Sequence, residues 1–160
     1  MSGDAVLPIR AARAADLPGL LNLYSQLNPR DPPLAPAVAE KRFASMLAHP
    51  GLSVLAAFDG RTPVASCTLV IVPNLTRGAA PYALIENVVT DKAWRRKGVG
   101  RAVLLRAVAD AFAAGCYKTM LMTGRSDPGT HDFYRRCGFM QDKTGFQIRN
   151  DKAGQTVRKP

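Results

Sequence analysis

The chain has 160 residues, of which 47% are hydrophobic and 21% charged, a composition that suits one globular domain with a real core and excludes a disordered chain. No apolar run is long enough to cross a bilayer, and the N-terminus has no basic stretch followed by an apolar one, so neither a membrane protein nor a signal peptide is expected. The net charge of +10 is uneven: residues 1–90 carry 7 Lys+Arg against 6 Asp+Glu (net +1), and residues 91–160 carry 15 against 6 (net +9).

Residues 5–11 read as a first strand. Asp16 stands as an N-cap ahead of a helix with Pro18 in its first turn and Leu17, Leu20, Leu21, Leu23 and Tyr24 on one face. Pro29-Arg30-Asp31-Pro32-Pro33 breaks that helix. Residues 36–49 form a second helix with Val38, Phe43, Met46 and Leu47 as the expected buried face. Two apolar runs, 52–58 and 63–72, flank Asp59-Gly60, the strongest hairpin signal in the chain. After a loop over 74–81 comes a strand over 82–90.

Residues 98–114 give the clearest helix, with Val99, Val103, Leu104, Ala107, Val108, Ala111 and Phe112 at helical spacing and Gly115 as C-cap. A strand over 118–123, a helix over 127–136 closed by Gly138, and short strands over 139–140 and 146–150 follow. The order β-α-α-β-β-β-α-β-α-β predicts an α/β (α+β) domain with a mixed, largely antiparallel sheet flanked by helices. Residues 1–150 read as a single domain and 151–160 as a polar tail.

The positive second half of the chain calls for a polyanionic partner or is a solvated basic face. Its densest point is Arg95-Arg96-Lys97-Gly98-Val99-Gly100-Arg101, between a strand and the strongest helix. A helix N-terminus offers unpaired N–H groups and a positive dipole end, and glycines let phosphate oxygens approach. No Gly-Lys-Ser/Thr follows, so this is not a P-loop, and Val103 stands where a dinucleotide fingerprint needs a third small residue. Taken alone, the segment is either a pyrophosphate cradle or a tight turn.

The pattern R-x-x-G-x-G at Arg95 to Gly100 resembles the acetyl-CoA motif of the GNAT N-acetyltransferase superfamily. Phe133-Tyr134-Arg135-Arg136-Cys137-Gly138-Phe139 is similar to that superfamily's F-Y-x-x-x-G-F, and one helix and one strand separate the two. The resemblance implies acetyl-CoA as donor and a strand before the loop that bulges and splays from its neighbour. Val88 and Val89 would then contact the pantetheine arm, and Arg95, Arg96, Lys97, Gly98, Val99, Gly100 and Arg101 the pyrophosphate. Tyr134 would lie at the thioester sulfur and protonate the departing thiolate; its other reading is a core aromatic.

Glu86, flanked by Ala83-Leu84-Ile85 and Val88-Val89, is a candidate general base whose burial would raise its pKa, or else an outward-facing residue. The stretches 85–89, 115–118, 133–139 and 146–149 are similar to glucosamine-6-phosphate N-acetyltransferases, which implies acceptor contacts from Glu86, Asn87 and Arg149. Asn87 stands where that enzyme usually has Asp, and Thr130 where it has Asn. A protein or peptide amine, and a silent acyl-CoA-binding protein, remain the alternative readings.

Cys67, Cys116 and Cys137 are an odd, dispersed set, and His49 and His131 are isolated, so no disulfide framework and no metal site are expected, and a cytoplasmic location is the default. A small-molecule amine is the expected partner. Nucleic acid is not expected, because the basic half lacks interleaved aromatics, and no membrane is. A homodimer follows only by analogy with the superfamily.

Overall fold

Ile9–Ala11 (β1) is held at the sheet edge by pairing with a longer neighbour, Leu52–Asp59 (β2). The computed structural model describes residues 7–150. β2 turns through Gly60, at a left-handed φ of 57°, into Thr62–Val72 (β3), with Asp59 opposite Thr62. The Asp-Gly hairpin is thus formed with Gly60-Arg61 as its two-residue connection. Tyr82–Thr90 (β4) pairs antiparallel with β3, and Thr119–Met120 (β5) pairs parallel with β4, completing the order β1-β2-β3-β4-β5.

Helices cover both faces. Leu17–Leu27 (α1) and Pro36–Ala48 (α2) pack on one, through Leu20, Leu23 and Phe43 against Val54, Ala56 and Phe58. Val99–Ala113 (α3) packs on the other, through Val103, Leu104, Ala107 and Ala111 against Leu55, Cys67, Leu69 and Ile85. Pro128–Arg136 (α4) lies on this second side, with Cys137 buried in the same cluster. Each fully buried Leu or Phe contributes about 1.5–3 kcal/mol. Gly115, at φ 84°, ends α3 as expected, its N–H bonding Phe112 O while Cys116 N–H reaches Ala111 O.

Three expected core residues lie outside. On α2 the buried pair is Ala39 and Phe43, while Val38 is 56% and Leu47 39% exposed. With about 100° between successive residues, Val38 and Leu47 fall on the flanks of the stripe that Ala39 and Phe43 define. Phe112 is 55% exposed, since it falls on the side of α3 away from the Val103–Ala107 stripe.

Asp16 is also not a simple N-cap. Its side chain makes no cap bond to α1; it accepts two bonds from Arg10 (2.7 and 3.0 Å) and one from Arg13 N–H (2.7 Å). It thereby closes a 3-10 turn over Ala14–Asp16 and ties α1 to β1.

The late strands are the largest difference. The strand expected over 118–123 is reduced to Thr119–Met120, and no strand forms at 139–140 or 146–150 among the described residues. Phe146 and Ile148 are 92% and 99% exposed. The Phe-Gln-Ile-Arg alternation is present, but a strand needs an edge to pair with, and two residues of β5 offer almost none. The first two residues of the strand expected over 5–11 and the tail at 151–160 lie outside the described residues.

Candidate active site

The sheet opens at β4. Its pairing with β5 consists of Ala83 opposite Thr119 and Leu84 opposite Met120. Among the described residues no strand meets that edge of β4 beyond Leu84, so a length of main chain keeps its hydrogen-bonding groups available to an extended ligand.

The other edge carries a bulge. Thr68 faces Glu86 and Ser66 faces Val89, so Asn87 and Val88 together oppose Cys67, and Asn87 takes a left-handed φ of 51°. The extra residue sets the side-chain directions around it. Val89 joins the α1/α2 core while Val88 packs with the α3 cluster. Glu86 is exposed and has no hydrogen-bond or ion-pair partner among the described residues. Of the two placements open to this carboxylate, burial and an outward-facing position on the strand, the structure shows the second.

β4 leads directly into the basic loop. Asp91 accepts from Ala93 N–H (2.8 Å) and from the Gln26 amide (2.8 Å), while Lys92 N–H donates to Gln26 Oε1 (3.1 Å), so the loop is pinned to the end of α1. The Gln26 and Ala93 donors hold the Asp91 carboxyl below its ordinary value.

Arg96 (φ 61°) and Gly98 (φ 78°) are left-handed, and the first helical bond of α3 runs from Ala102 N–H to Gly98 O. Among the described residues the N–H groups of Val99, Gly100 and Arg101 therefore have no main-chain acceptor, and no side chain caps them. They face a segment rich in positive charge, which is the physical recipe for holding a pyrophosphate. Val99 is buried by its side chain and anchors the helix.

The two glycines have separate reasons. A Cβ on Gly98 would meet nothing, so its requirement is the left-handed turn, whereas a Cβ on Gly100 would collide with Thr90 Oγ1. The cations are not equivalent either. Arg95 Nε donates to Thr90 O (3.2 Å) and Lys97 Nζ lies 4.9 Å from the Trp94 ring centroid. The Arg96 and Arg101 side chains are exposed and unpaired among the described residues.

Tyr134, on α4, is half-buried and edge-on to Phe133 and Phe139, with centroids 5.2 and 6.2 Å away. Burial pushes its phenol pKa up; Arg125 opposes this, and Cys137, Glu86 and Cys67 add to it. The phenol thus stays protonated at neutral pH, as a proton donor must, and it senses the Glu86 charge across the opening. Arg149 is exposed within a segment of no regular structure, and no contact brings it to Glu86 or Tyr134 among the described residues. Thr130 is used locally, its N–H and Oγ1 bonding the Asp127 cap at 2.8 and 2.9 Å.

Two features escape a reading of the sequence. His131 Nε2 lies 2.8 Å from Arg125 O, tying the segment that carries Arg125 to α4. Tyr24, Ser66 and Thr68 bring three buried hydroxyls together behind Glu86; the signal was two hydroxyl residues at alternate positions in an apolar strand. Burial pushes the Cys67 thiol up to about 12 and raises Cys137 as well, so neither is a ready nucleophile. Among the described residues no group of three or more His, Cys, Asp or Glu is placed to hold a metal ion.

A mixed sheet that parts beside a bulged strand, and a basic turn feeding an uncapped helix, define an acyl-transfer class of protein. The chain belongs to the acetyltransferase (GNAT) family, whose profile matches residues 17–139. It is 34% identical over 138 residues to glucosamine 6-phosphate N-acetyltransferase 1 of Oryza sativa subsp. japonica, covering 83% of this chain and 81% of that one. Against the glucosamine 6-phosphate N-acetyltransferase of Trypanosoma brucei brucei it is 33% identical over 137 residues, covering 83% and 88%. A provisionally named acetyltransferase of Agrobacterium tumefaciens str. C58 superposes with a TM-score of 0.88 at 58% identity, over 90% of this chain and 100% of that one. Members of the family take the acetyl group from acetyl-CoA, and with these relatives the chain is an N-acetyltransferase.

Proposed function

We propose that the chain transfers the acetyl group of acetyl-CoA to the primary amine of a small molecule, an amino-sugar phosphate such as glucosamine 6-phosphate. One observation carries the donor half of this reading: the unpaired edge of β4 beyond Leu84 leads, through a turn over Lys92–Trp94 and the basic loop, to the free N–H groups of α3. Pantetheine lies along Val88 and Val89, and the pyrophosphate meets the turn from Arg95 to Arg101. The acceptor half rests on the relatives.

In the reaction the amine attacks the thioester carbon directly: a C–N bond forms, the C–S bond breaks, and the acetyl group never resides on the protein. Glu86 takes the proton the ammonium must lose, directly or through water, and Tyr134 gives its proton to the departing thiolate. Asn87, beside Glu86 on the bulge, contacts the acceptor, and Arg149 binds its phosphate once the C-terminal segment is ordered against the site. No metal takes part in these steps.

Calorimetry with acetyl-CoA, followed by thiol release against a panel of amines, tests the reading. Binding lost in the Gly98→Glu/Gly100→Glu double variant supports it, as does a kcat/KM for glucosamine 6-phosphate well above that for simple amines. Equal rates across the panel would remove the amino-sugar phosphate.

A homodimer that covers Met140, Phe146 and Ile148, which are 83%, 92% and 99% exposed, completes the proposal, with sedimentation equilibrium as its test. Cytoplasmic placement is proposed from the three free cysteines. No helix of the described residues is long and apolar enough to cross a membrane.

A further inference from the structure

Behind the open edge, on the face that α1 covers, three hydroxyl oxygens are buried without a hydrogen-bond partner among the described residues: Tyr24 Oη, Ser66 Oγ and Thr68 Oγ1. Ser66 and Thr68 are 1% and 4% exposed. The three lie together, close enough that hydrogen bonding from Thr68 and then Ser66 opposes the rise that burial imposes on the Tyr24 phenol, although none of the three oxygens has a partner at good hydrogen-bond distance and angle.

Buried hydroxyls in folded proteins are almost always bonded, to protein or to an ordered water, because an unmade bond costs stability. Aliphatic side chains would pack this face as well, so the hydroxyls call for an explanation. A converging set of polar groups that misses direct bonding is the setting in which an internal water, with two to four partners, is held.

Its place in the fold matters. Thr68 is the direct cross-strand neighbour of Glu86, on the last ladder position before the bulge. Side chains so paired stand with Cβ atoms about 4.5–5.5 Å apart, so the Thr68 hydroxyl and the Glu86 side chain are direct neighbours. Glu86 has no hydrogen-bond or ion-pair partner among the described residues, so none of their side chains orients its carboxylate.

We propose that Tyr24, Ser66 and Thr68 hold an internal water that bonds the Glu86 carboxylate and aims it at the acceptor amine. The three are positioning residues: they touch neither donor nor acceptor. The proposal rests on the reading of Glu86 as the base, and the test keeps the two apart.

A high-resolution crystal structure of the full chain is the direct measurement. An ordered water bonded to at least two of the hydroxyls and to Glu86 is expected. Hydroxyls bonded to one another with no water between them would overturn the proposal.

The kinetic measurement uses the best acceptor of the amine panel. Thr68→Val, which keeps shape and strand propensity, is expected to lower kcat by about tenfold with the KM for acetyl-CoA unchanged, and Thr68→Ser to restore it. Tyr24→Phe should act in the same direction. A wild-type kcat in Thr68→Val, alongside a crippled Glu86→Gln, overturns the positioning role and leaves the base in place. Full activity in Glu86→Gln removes the base and the positioning role with it.

Discussion

Glu86 and Tyr134 reach one opening from opposite sides of the sheet. Glu86 stands across from Thr68 on the face that α1 covers, while Tyr134 packs with the cluster beneath α3, and the Glu86 charge still raises the Tyr134 pKa. A phenol and a carboxylate therefore flank the gap where β4 and β5 part, held by different layers of the fold.

The first prediction concerns the alkaline limb of kcat. Burial first, then Cys137 and Glu86, hold the Tyr134 phenol above its ordinary value, against Arg125. Activity that needs the protonated phenol falls only above that raised value. Removing the negative neighbour in Glu86→Gln moves the limb of the residual activity to lower pH, and removing the positive one in Arg125→Ala moves it higher. Tyr134→Phe abolishes the limb and lowers kcat by about 100-fold. A limb unmoved in all three variants would exclude Tyr134 as the acid.

Gly100 and Thr90 form the second test. Since a Cβ at 100 collides with Thr90 Oγ1, Gly100→Ala pushes the start of α3 away from the end of β4. Acetyl-CoA affinity measured by calorimetry should drop by about tenfold or more, a loss of ~1.4 kcal/mol. Thr90→Ala removes the obstructing hydroxyl, so the double variant should recover part of the loss. Gly98→Ala has no such rescue, because its difficulty is the left-handed φ of 78°, worth about 1–2 kcal/mol.

Asp16 sets an acid boundary on stability. The Arg10 hydrogen bonds, followed by the Arg13 N–H, hold its carboxyl below the ordinary value. The folded-state pKa is lower than the unfolded one, so the contribution is complete above about pH 4 and is lost as the pH falls through the depressed value. Arg10 is partly exposed to solvent, 37% against 9% for Asp16, which limits the pair to about 1–2 kcal/mol. Denaturant titrations of Asp16→Asn should show that deficit at pH 7 and a smaller one near pH 3. Equal deficits at both pH values would mean that packing, and not charge, carries the effect.

The two phenylalanines at 43 and 112 make the fourth comparison. Phe43 is 5% exposed beneath β2 and Phe112 is 55% exposed on the far side of α3. Phe43→Ala should cost about 3–5 kcal/mol, and Phe112→Ser should stay within about 0.5 kcal/mol. Urea unfolding of both variants checks the pair. A large loss for Phe112→Ser would mean that a partner covers that face.

Local chemistry in the sequence was enough for most elements and for the family. The Asp59-Gly60 hairpin, the stop at Gly115 and the uncapped α3 after Gly98 each depend on a few adjacent residues whose dihedral preferences survive in any context. The joint occurrence of the basic glycine turn and Phe133-Tyr134 was sufficient to indicate acyl transfer, because such turns work through main-chain groups that the glycines themselves dictate.

Tertiary structure decided what depends on residues far apart in the chain. Phe112 and Val38 sat in apolar patterns, yet the docking angle of each helix left them outside. Phe146 and Ile148 alternate as in a strand but find no edge, since pairing is a property of two segments. Glu86, between apolar neighbours, was open to either a buried or an outward-facing placement, and its position opposite Thr68 left it exposed. Ser66 and Thr68 share a face of β3 by strand alternation, and Tyr24 meets them only because α1 packs across β3, more than forty residues later in the chain.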